Sequence, residues 1–107
     1  MNAVAATLFS AAARLDESPI DLLNGGAIAA LQALEDSMPK AEAVATERGI
    51  DPSAIAALWG RAGARLRATP ADDAIFAAAA DAAVLLYAAA WVLDSDSAST
   101  EDLLNLL

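Results

Sequence analysis

Three features of the sequence predict an all-α fold for this 107-residue chain. Apolar residues make up 58% of it, alanine is the commonest of them, and this composition favours helices packed at close range. Apolar side chains also recur at the helical period of 3.6 residues in several segments. Helix-capping motifs with a proline in the first turn separate these segments. We expect a single domain, residues 1–107, formed as a compact bundle of five to seven short helices around a long central apolar helix.

The first 48 residues predict four helical segments. Apolar positions at helical spacing indicate an amphipathic helix over 3–15. Ser18-Pro19-Ile20-Asp21 matches a capping box and predicts a short helix ending at Asn24-Gly25-Gly26. A third helix fits 27–36, and Pro39 is expected to interrupt it before a fourth runs to Arg48.

The next helix is predicted over 52–67, after a turn at Gly49 and a cap at Asp51-Pro52. One face of this helix is apolar and is expected to be buried: it carries Ile55, Leu58, Trp59, Ala62 and Leu66. The arginines of the helix lie off that face. Gly60 and Gly63 each cost about 1 kcal/mol relative to alanine in a helix interior, which indicates a close neighbour or a soft helix.

The central helix, at about residues 70–93, is predicted to follow a Thr69-to-Asp72 cap. From Ala74 to Leu93 its only polar residue is Asp81, for which we expect pairing with an arginine or exposure to solvent. Two apolar faces result. One carries Phe76, Ala80, Val84, Tyr87 and Trp91, and the other carries Ile75, Ala79, Ala82, Leu86, Ala89 and Leu93. We expect both faces to be covered, and dimerisation is one way to complete the core.

The same stretch has the length of a membrane span. Asp81 would then lie near the bilayer centre at a cost of about 2.5–3.5 kcal/mol, and the flanks carry acids instead of a Lys/Arg belt. A packed interior helix is therefore the preferred interpretation, with no membrane as partner.

The last segment predicts a short helix behind a second capping box, Ser99-Thr100-Glu101-Asp102. Residues 18–24 and 99–105 share the pattern S-x-x-D-L-L-N, interpreted as two uses of one capping device. Four leucines end the chain, and they either pack on the central helix or insert into a partner or a second copy: Leu103, Leu104, Leu106 and Leu107.

The chain contains neither cysteine nor histidine. Thiolate nucleophiles, histidine bases and Cys or His metal ligands are therefore excluded. We expect no enzymatic activity and no cofactor or metal ion. The amino-terminal sequence has no convincing signal-peptide pattern, so a cytoplasmic location is the default expectation.

The formal net charge is −9 and is unevenly distributed. Residues 1–39 carry −4, residues 40–67 carry +2, and residues 68–107 carry −7. Nucleic acid repels a chain this acidic as a whole, so DNA contact would have to come through the basic segment.

Residues 41–59 resemble the helix-turn-helix of Cro and phage-repressor type DNA-binding domains. Ala45 stands where that family has a small residue, Gly49 where it has the turn glycine, and Ile55 and Leu58 at apolar positions of its second helix. The resemblance implies DNA binding through 41–67. The groove-facing positions depart from the family, since Pro52, Ser53, Ala54, Ala56 and Ala57 offer few groups to base edges. Phosphate contacts would fall to Arg48, Arg61, Arg65 and Arg67.

Three functional hypotheses follow. The first is a small acidic binding or regulatory protein that contacts a protein partner or a second copy, through Phe76, Tyr87, Trp91, Leu103, Leu104, Leu106 and Leu107. The second is a transcription regulator that uses 41–67. The third is a phage or mobile-element inhibitor, of anti-CRISPR or anti-restriction type, that presents Asp72, Asp73, Asp94 and Asp96 to a nucleic-acid-binding host protein.

Overall fold

The computed structural model describes residues 2–106, and helices are the only regular elements in that range. The five α-helices are α1 Ala3–Glu17, α2 Gly26–Arg48, α3 Pro52–Arg67, α4 Ile75–Asp94 and α5 Thr100–Leu106. Two 3₁₀ turns, Pro19–Leu22 and Asp72–Ala74, precede α2 and α4. The predicted all-α class is confirmed.

Helix α4 packs along α1 and also contacts α2 and α3. Alanine makes the α1–α4 packing close, because small side chains let two helix axes approach. Fully buried alanines lie on both helices: Ala5 and Ala12 on α1, and Ala79, Ala82 and Ala89 on α4. The larger buried side chains, such as Leu8, Leu58 and Leu86, join these alanines in one hydrophobic cluster.

The carboxyl end of α4 is held by two polar residues from distant parts of the chain. The Asn2 side chain accepts from the Ala5 amide at 2.8 Å, which caps α1, and its Nδ2 donates to the Leu93 carbonyl at 3.0 Å. Arg48, at the end of α2, donates from Nη1 to the carbonyls of Val92, at 2.8 Å, and Ser95. These donors satisfy carbonyls that the end of a helix leaves without intrahelical partners.

Helix α2 continues through Pro39, so the predicted interruption is wrong. Pro39 is exposed, and so is Glu35, the residue whose carbonyl loses its intrahelical donor. The opposite side is buried both before and after Pro39, at Leu34, Ser37, Ala41 and Val44. Tertiary packing on both sides of the proline therefore keeps α2 continuous.

Two predicted helix starts are also wrong. Helix α4 begins at Ile75 instead of about residue 70, because residues 72–74 form a 3₁₀ turn closed by a bond from the Ala74 amide to the Ala71 carbonyl. No side-chain cap forms at Ser18, and Pro19–Leu22 is a 3₁₀ turn. The carboxylate of Asp21, which would complete that cap, instead accepts from Nε of Arg14 at 2.9 Å.

Helix α3 and the α2–α3 turn follow the prediction. The turn residue Gly49 has φ +67°, and the Asp51 side chain accepts from the Ser53 amide at 2.9 Å with Pro52 in the first turn. All five side chains of the predicted apolar face of α3 are buried. The arginines of α3 lie on its exposed side.

Within residues 2–106, one helical stretch, Asp72–Asp94, has the length and composition of a membrane span. Its most apolar window is 56% buried within the fold. A core helix of a water-soluble protein passes the same test, so this stretch is weak support for a membrane location.

Candidate protein-binding face

One face of α4 carries apolar side chains that point into solvent. Phe76 is 75% exposed, Val84 61% and Trp91 41%, and Ala80 is exposed between them. With Tyr87, these residues form the α4 apolar face. The face with Ile75, Ala79, Ala82, Leu86, Ala89 and Leu93 is buried within the chain, whereas this one is open, so its cover would have to come from a partner or a second copy.

Tyr87 joins the α4 apolar face to helix α1. Its ring meets the ring of Phe9 edge-on, with centroids 5.1 Å apart and an interplanar angle of 64°. Tyr87 is half-buried by this contact, whereas Phe9 remains 45% exposed. The open apolar surface therefore extends from α4 onto α1.

The carboxyl-terminal leucines divide between the core and this surface. Leu103 is fully buried, whereas Leu104 and Leu106 are 58% and 44% exposed. Leu106 lies beside Val84, Tyr87 and Trp91, where α4 and α5 border a concavity of about 390 Å³. Leu107 lies outside the described residues. Of the leucines in α5, Leu106 is thus the one that contributes to the α4 apolar face.

Helix α5 is fixed by the capping box that the sequence predicts. The Ser99 amide donates to Oδ2 of Asp102 at 3.0 Å, and the Asp102 amide donates to Oγ of Ser99 at 3.3 Å. The amide of Asp51, at the start of α3, donates to Oγ1 of Thr100 at 2.9 Å. These bonds, together with buried Leu103, fix α5 so that Leu106 lines the concavity opposite α4.

Charged side chains border the α4 apolar face on its α3 side. Arg61, Arg65 and Asp81 lie around Val84 and the end of α5. A weak ion pair of 3.8 Å joins Nη2 of Arg65 to Oδ2 of Asp81, and both side chains are largely exposed. Asp81 is therefore a surface carboxylate beside an arginine, as the sequence predicts.

The four acids proposed for an acidic surface lie at opposite ends of α4. Asp72 and Asp73 stand in the 3₁₀ turn before the helix, and Asp94 is its last residue. A 20-residue helix is about 30 Å long, so the fold does not gather these carboxylates into one patch. Asp96 follows α4, and its carboxylate lies 3.6 Å from Nη2 of Arg48.

The hairpin of α2 and α3 turns at Gly49, the position where the sequence predicts the turn. Ala45 is buried at the crossing, and the Ile50 amide donates to its carbonyl across Gly49 at 3.0 Å. The first helix differs, because α2 is 23 residues long. Of the groove-facing positions, Ala54 is buried, and Pro52, Ser53, Ala56 and Ala57 are exposed.

The arginines proposed for DNA contact have partners within the protein. Arg48 is bound to the end of α4 and only 20% of its side chain is exposed. Arg65 pairs with Asp81, and Nη2 of Arg67 lies 3.9 Å from Oε1 of Glu35. Arg61 is exposed beside the α4 apolar face and also interacts within the protein. The fold therefore places Arg61 and Arg65 beside α4, Arg48 at the carboxyl end of α4, and Arg67 at the groove between α2 and α3.

Sequence reasoning missed an open groove of about 400 Å³ between α2 and α3. It is lined by Leu31, Leu34, Met38, Trp59 and Gly60, with the Glu35–Arg67 pair at its edge. Nε1 of Trp59 donates to buried Oγ of Ser37 at 2.9 Å, and Ser37 donates to the Leu34 carbonyl at 2.8 Å. These polar groups are mutually satisfied, so the groove presents mainly apolar atoms.

Gly60→Ala is expected to raise the free energy of unfolding by about 1 kcal/mol, the difference in helix propensity between the two residues. A Cβ atom at Gly60 would meet nothing within 4 Å. Urea titration followed by circular dichroism measures the change. Gly63→Ala is the matched control. It should raise the free energy of unfolding less, because its Cβ atom would come within 2.7 Å of Nη1 of Arg67. A less stable Gly60→Ala protein would contradict the open position of this residue.

Comparison with known proteins finds no match to a family model, a curated protein or a solved structure. The surfaces of the molecule are therefore the guide to its function. Among these, the α4 apolar face combines exposed aromatic side chains, Phe76 and Trp91, with a helix whose other side is buried in the core.

Proposed function

We propose that this protein is a small, non-enzymatic binding or regulatory protein that acts by docking a protein partner on the α4 apolar face. One observation carries the proposal: a helix whose one side forms the core exposes aromatic and aliphatic side chains along its other side. Contiguous exposed apolar surface of this kind marks interaction sites in soluble proteins.

The residue types on this face suit a binding site. Trp91 is partly exposed at the edge of the concavity with α5, and tryptophan is enriched among residues that dominate binding energy. Phe76 and Val84 extend the contact towards the amino end of the helix. From Phe76 to Trp91 the helix rises about 22 Å, enough for several turns of a partner helix.

The face is also preorganised, because the fold fixes the helix that carries it. Leu86 and Leu93 on the opposite side are buried, and Asn2 and Arg48 hold the carboxyl end of α4. Little conformational freedom of the α4 backbone would be lost on binding, and this favours affinity.

A double variant, Phe76→Gln with Val84→Gln, tests the proposal. Both side chains are mostly exposed, so the fold should tolerate the change. The matched control is Ile20→Gln with Ile28→Gln, which removes two isoleucines that are 51% and 74% exposed on other elements. Size-exclusion chromatography with light scattering, followed by affinity capture from the source cells, compares the three proteins.

We expect the wild-type protein and the isoleucine control to form the same complex, whether with a second copy or with a captured protein. The affinity of the α4 variant for this partner should be at least about tenfold lower, since two central apolar contacts are removed. Equal complex formation by all three proteins, or a wild-type protein that is monomeric and captures nothing, would refute the proposal.

A further inference from the structure

We infer that the partner of the α4 apolar face is an amphipathic helix whose apolar stripe is flanked by lysine and arginine side chains. This inference rests on the proposed function and specifies the chemistry of the partner. Two observations support it: the straight, helix-sized shape of the face, and the carboxylates that surround it.

The shape of the face fits a helix laid beside α4. Its side chains follow one another at intervals of three and four residues along α4, as the apolar stripe of a partner helix would. Leu106 of α5 forms one wall of a concavity of about 390 Å³, and Val84 and Trp91 of α4 also line it. A large apolar side chain of a docked helix fits such a concavity, as in other complexes that bind a helix in a groove.

The charges around the face favour a basic partner. Asp72 and Asp73 stand at the amino end of α4, Asp94 at its carboxyl end, and Asp102 borders the concavity. On the α3 side, Asp81 lies close to Arg65, with Arg61 nearby. Five carboxylates thus lie along the face and at its two ends, against three guanidinium groups, because Arg48 also binds the carboxyl end of α4. The whole chain carries −9. Complementary potential of this kind steers association and selects partners by charge.

The same charges disfavour a second copy of the chain as the occupant. In an antiparallel pair related by a two-fold axis at Val84, Asp72 and Asp73 of one copy would face Asp94 of the other. Like charges placed opposite each other oppose association, and each copy brings a net charge of −9. Lysine or arginine on a partner helix would instead meet these carboxylates as ion pairs.

Calorimetric titration of the 107-residue chain with synthetic peptides tests this inference. The probe is a peptide of about 18 residues, five helical turns, with a leucine stripe flanked by lysines. A second peptide has glutamate at every lysine position, and a third has the lysine peptide's composition in scrambled order. We expect the lysine peptide to bind at least about thirtyfold more tightly than either of the others.

Three double variants of the protein test whether the peptide binds on the face. Asp72→Asn with Asp73→Asn should weaken binding of the lysine peptide about three- to tenfold, as expected for two exposed ion pairs. Glu42→Gln with Glu47→Gln makes the same charge change on α2 and should weaken it less than about twofold. Phe76→Gln with Val84→Gln, which leaves the charge unchanged, should abolish measurable binding.

Each other outcome overturns the inference in a different way. Equal binding of the lysine and glutamate peptides, lost in the Phe76/Val84 variant, would keep the face as a docking site but reject the basic partner. A wild-type dimer that the Phe76/Val84 variant loses, with no peptide bound, would make a second copy the occupant. Binding to neutral phosphatidylcholine vesicles in place of the peptides would make it a lipid surface. Undiminished binding of the lysine peptide to the Phe76/Val84 variant would reject the site itself.

Discussion

Replacing Leu86 with alanine is expected to lower the free energy of unfolding by about 3–5 kcal/mol. Leu86 is fully buried on the core side of α4, among helices packed on alanine. Removing a fully buried leucine side chain costs its transfer free energy and leaves a cavity, and the close α1–α4 contact limits collapse around it. Urea titration monitored by circular dichroism gives the change.

Val84→Ala is the matched control, two residues earlier on the same helix. Its side chain is 61% exposed, so we expect a change within about 0.5 kcal/mol. The pair of variants separates the core face of α4 from its open face. A Val84→Ala loss as large as that of Leu86→Ala would show that the α4 apolar face is covered in the protein as isolated.

Arg48→Ala is expected to lower the free energy of unfolding by about 2–3 kcal/mol. The half-buried guanidinium donates to the carbonyls of Val92 and Ser95, so its loss leaves two acceptors at the end of α4 without their partner. Hydrogen bonds to charged groups contribute about 1.5–3 kcal/mol, and a cation at a helix carboxyl end is favourable in itself. Thermal and urea unfolding measure the loss.

Two further variants isolate the cause of this effect. Arg67→Ala removes an arginine whose ion pair with Glu35 is exposed, and it should cost less than about 1 kcal/mol. Arg48→Lys keeps the charge but loses the paired N–H donors of the guanidinium group. Its free energy of unfolding should lie between those of the two alanine variants. If Arg48→Ala lowered the free energy of unfolding no more than Arg67→Ala does, the hydrogen bonds from Arg48 to the end of α4 would not contribute to stability.

The repeated pattern S-x-x-D-L-L-N shows how far local sequence can predict this fold. At Ser99 the predicted reciprocal cap forms with Asp102. At Ser18 the same letters form a 3₁₀ turn, because Asp21 binds Arg14 and the Ser18 amide still donates to the Arg14 carbonyl at the end of α1. The residues that surround the motif in the fold, here Arg14, decide between the two structures. The sequence of the motif itself does not specify them.

Pro39 and the α4 apolar face show the same dependence on tertiary structure. A proline within a helical pattern predicts an interruption, but packing on both sides of Pro39 maintains α2. Helical period correctly separates the two faces of α4, yet it cannot tell which face other helices cover. In the structure the face with Ala79, Ala82 and Leu86 is buried, whereas Phe76, Val84 and Trp91 remain exposed.

Site-specific photo-crosslinking in the source cells tests the central claim most directly. A benzophenone amino acid placed at Val84 reports whatever lies on the α4 apolar face, and the same group at Ile28, which is 74% exposed on α2, is the control. We predict a discrete crosslinked protein from position 84 that is absent from position 28. No adduct at position 84, or the same adducts at both positions, would contradict the proposal that this face binds a protein.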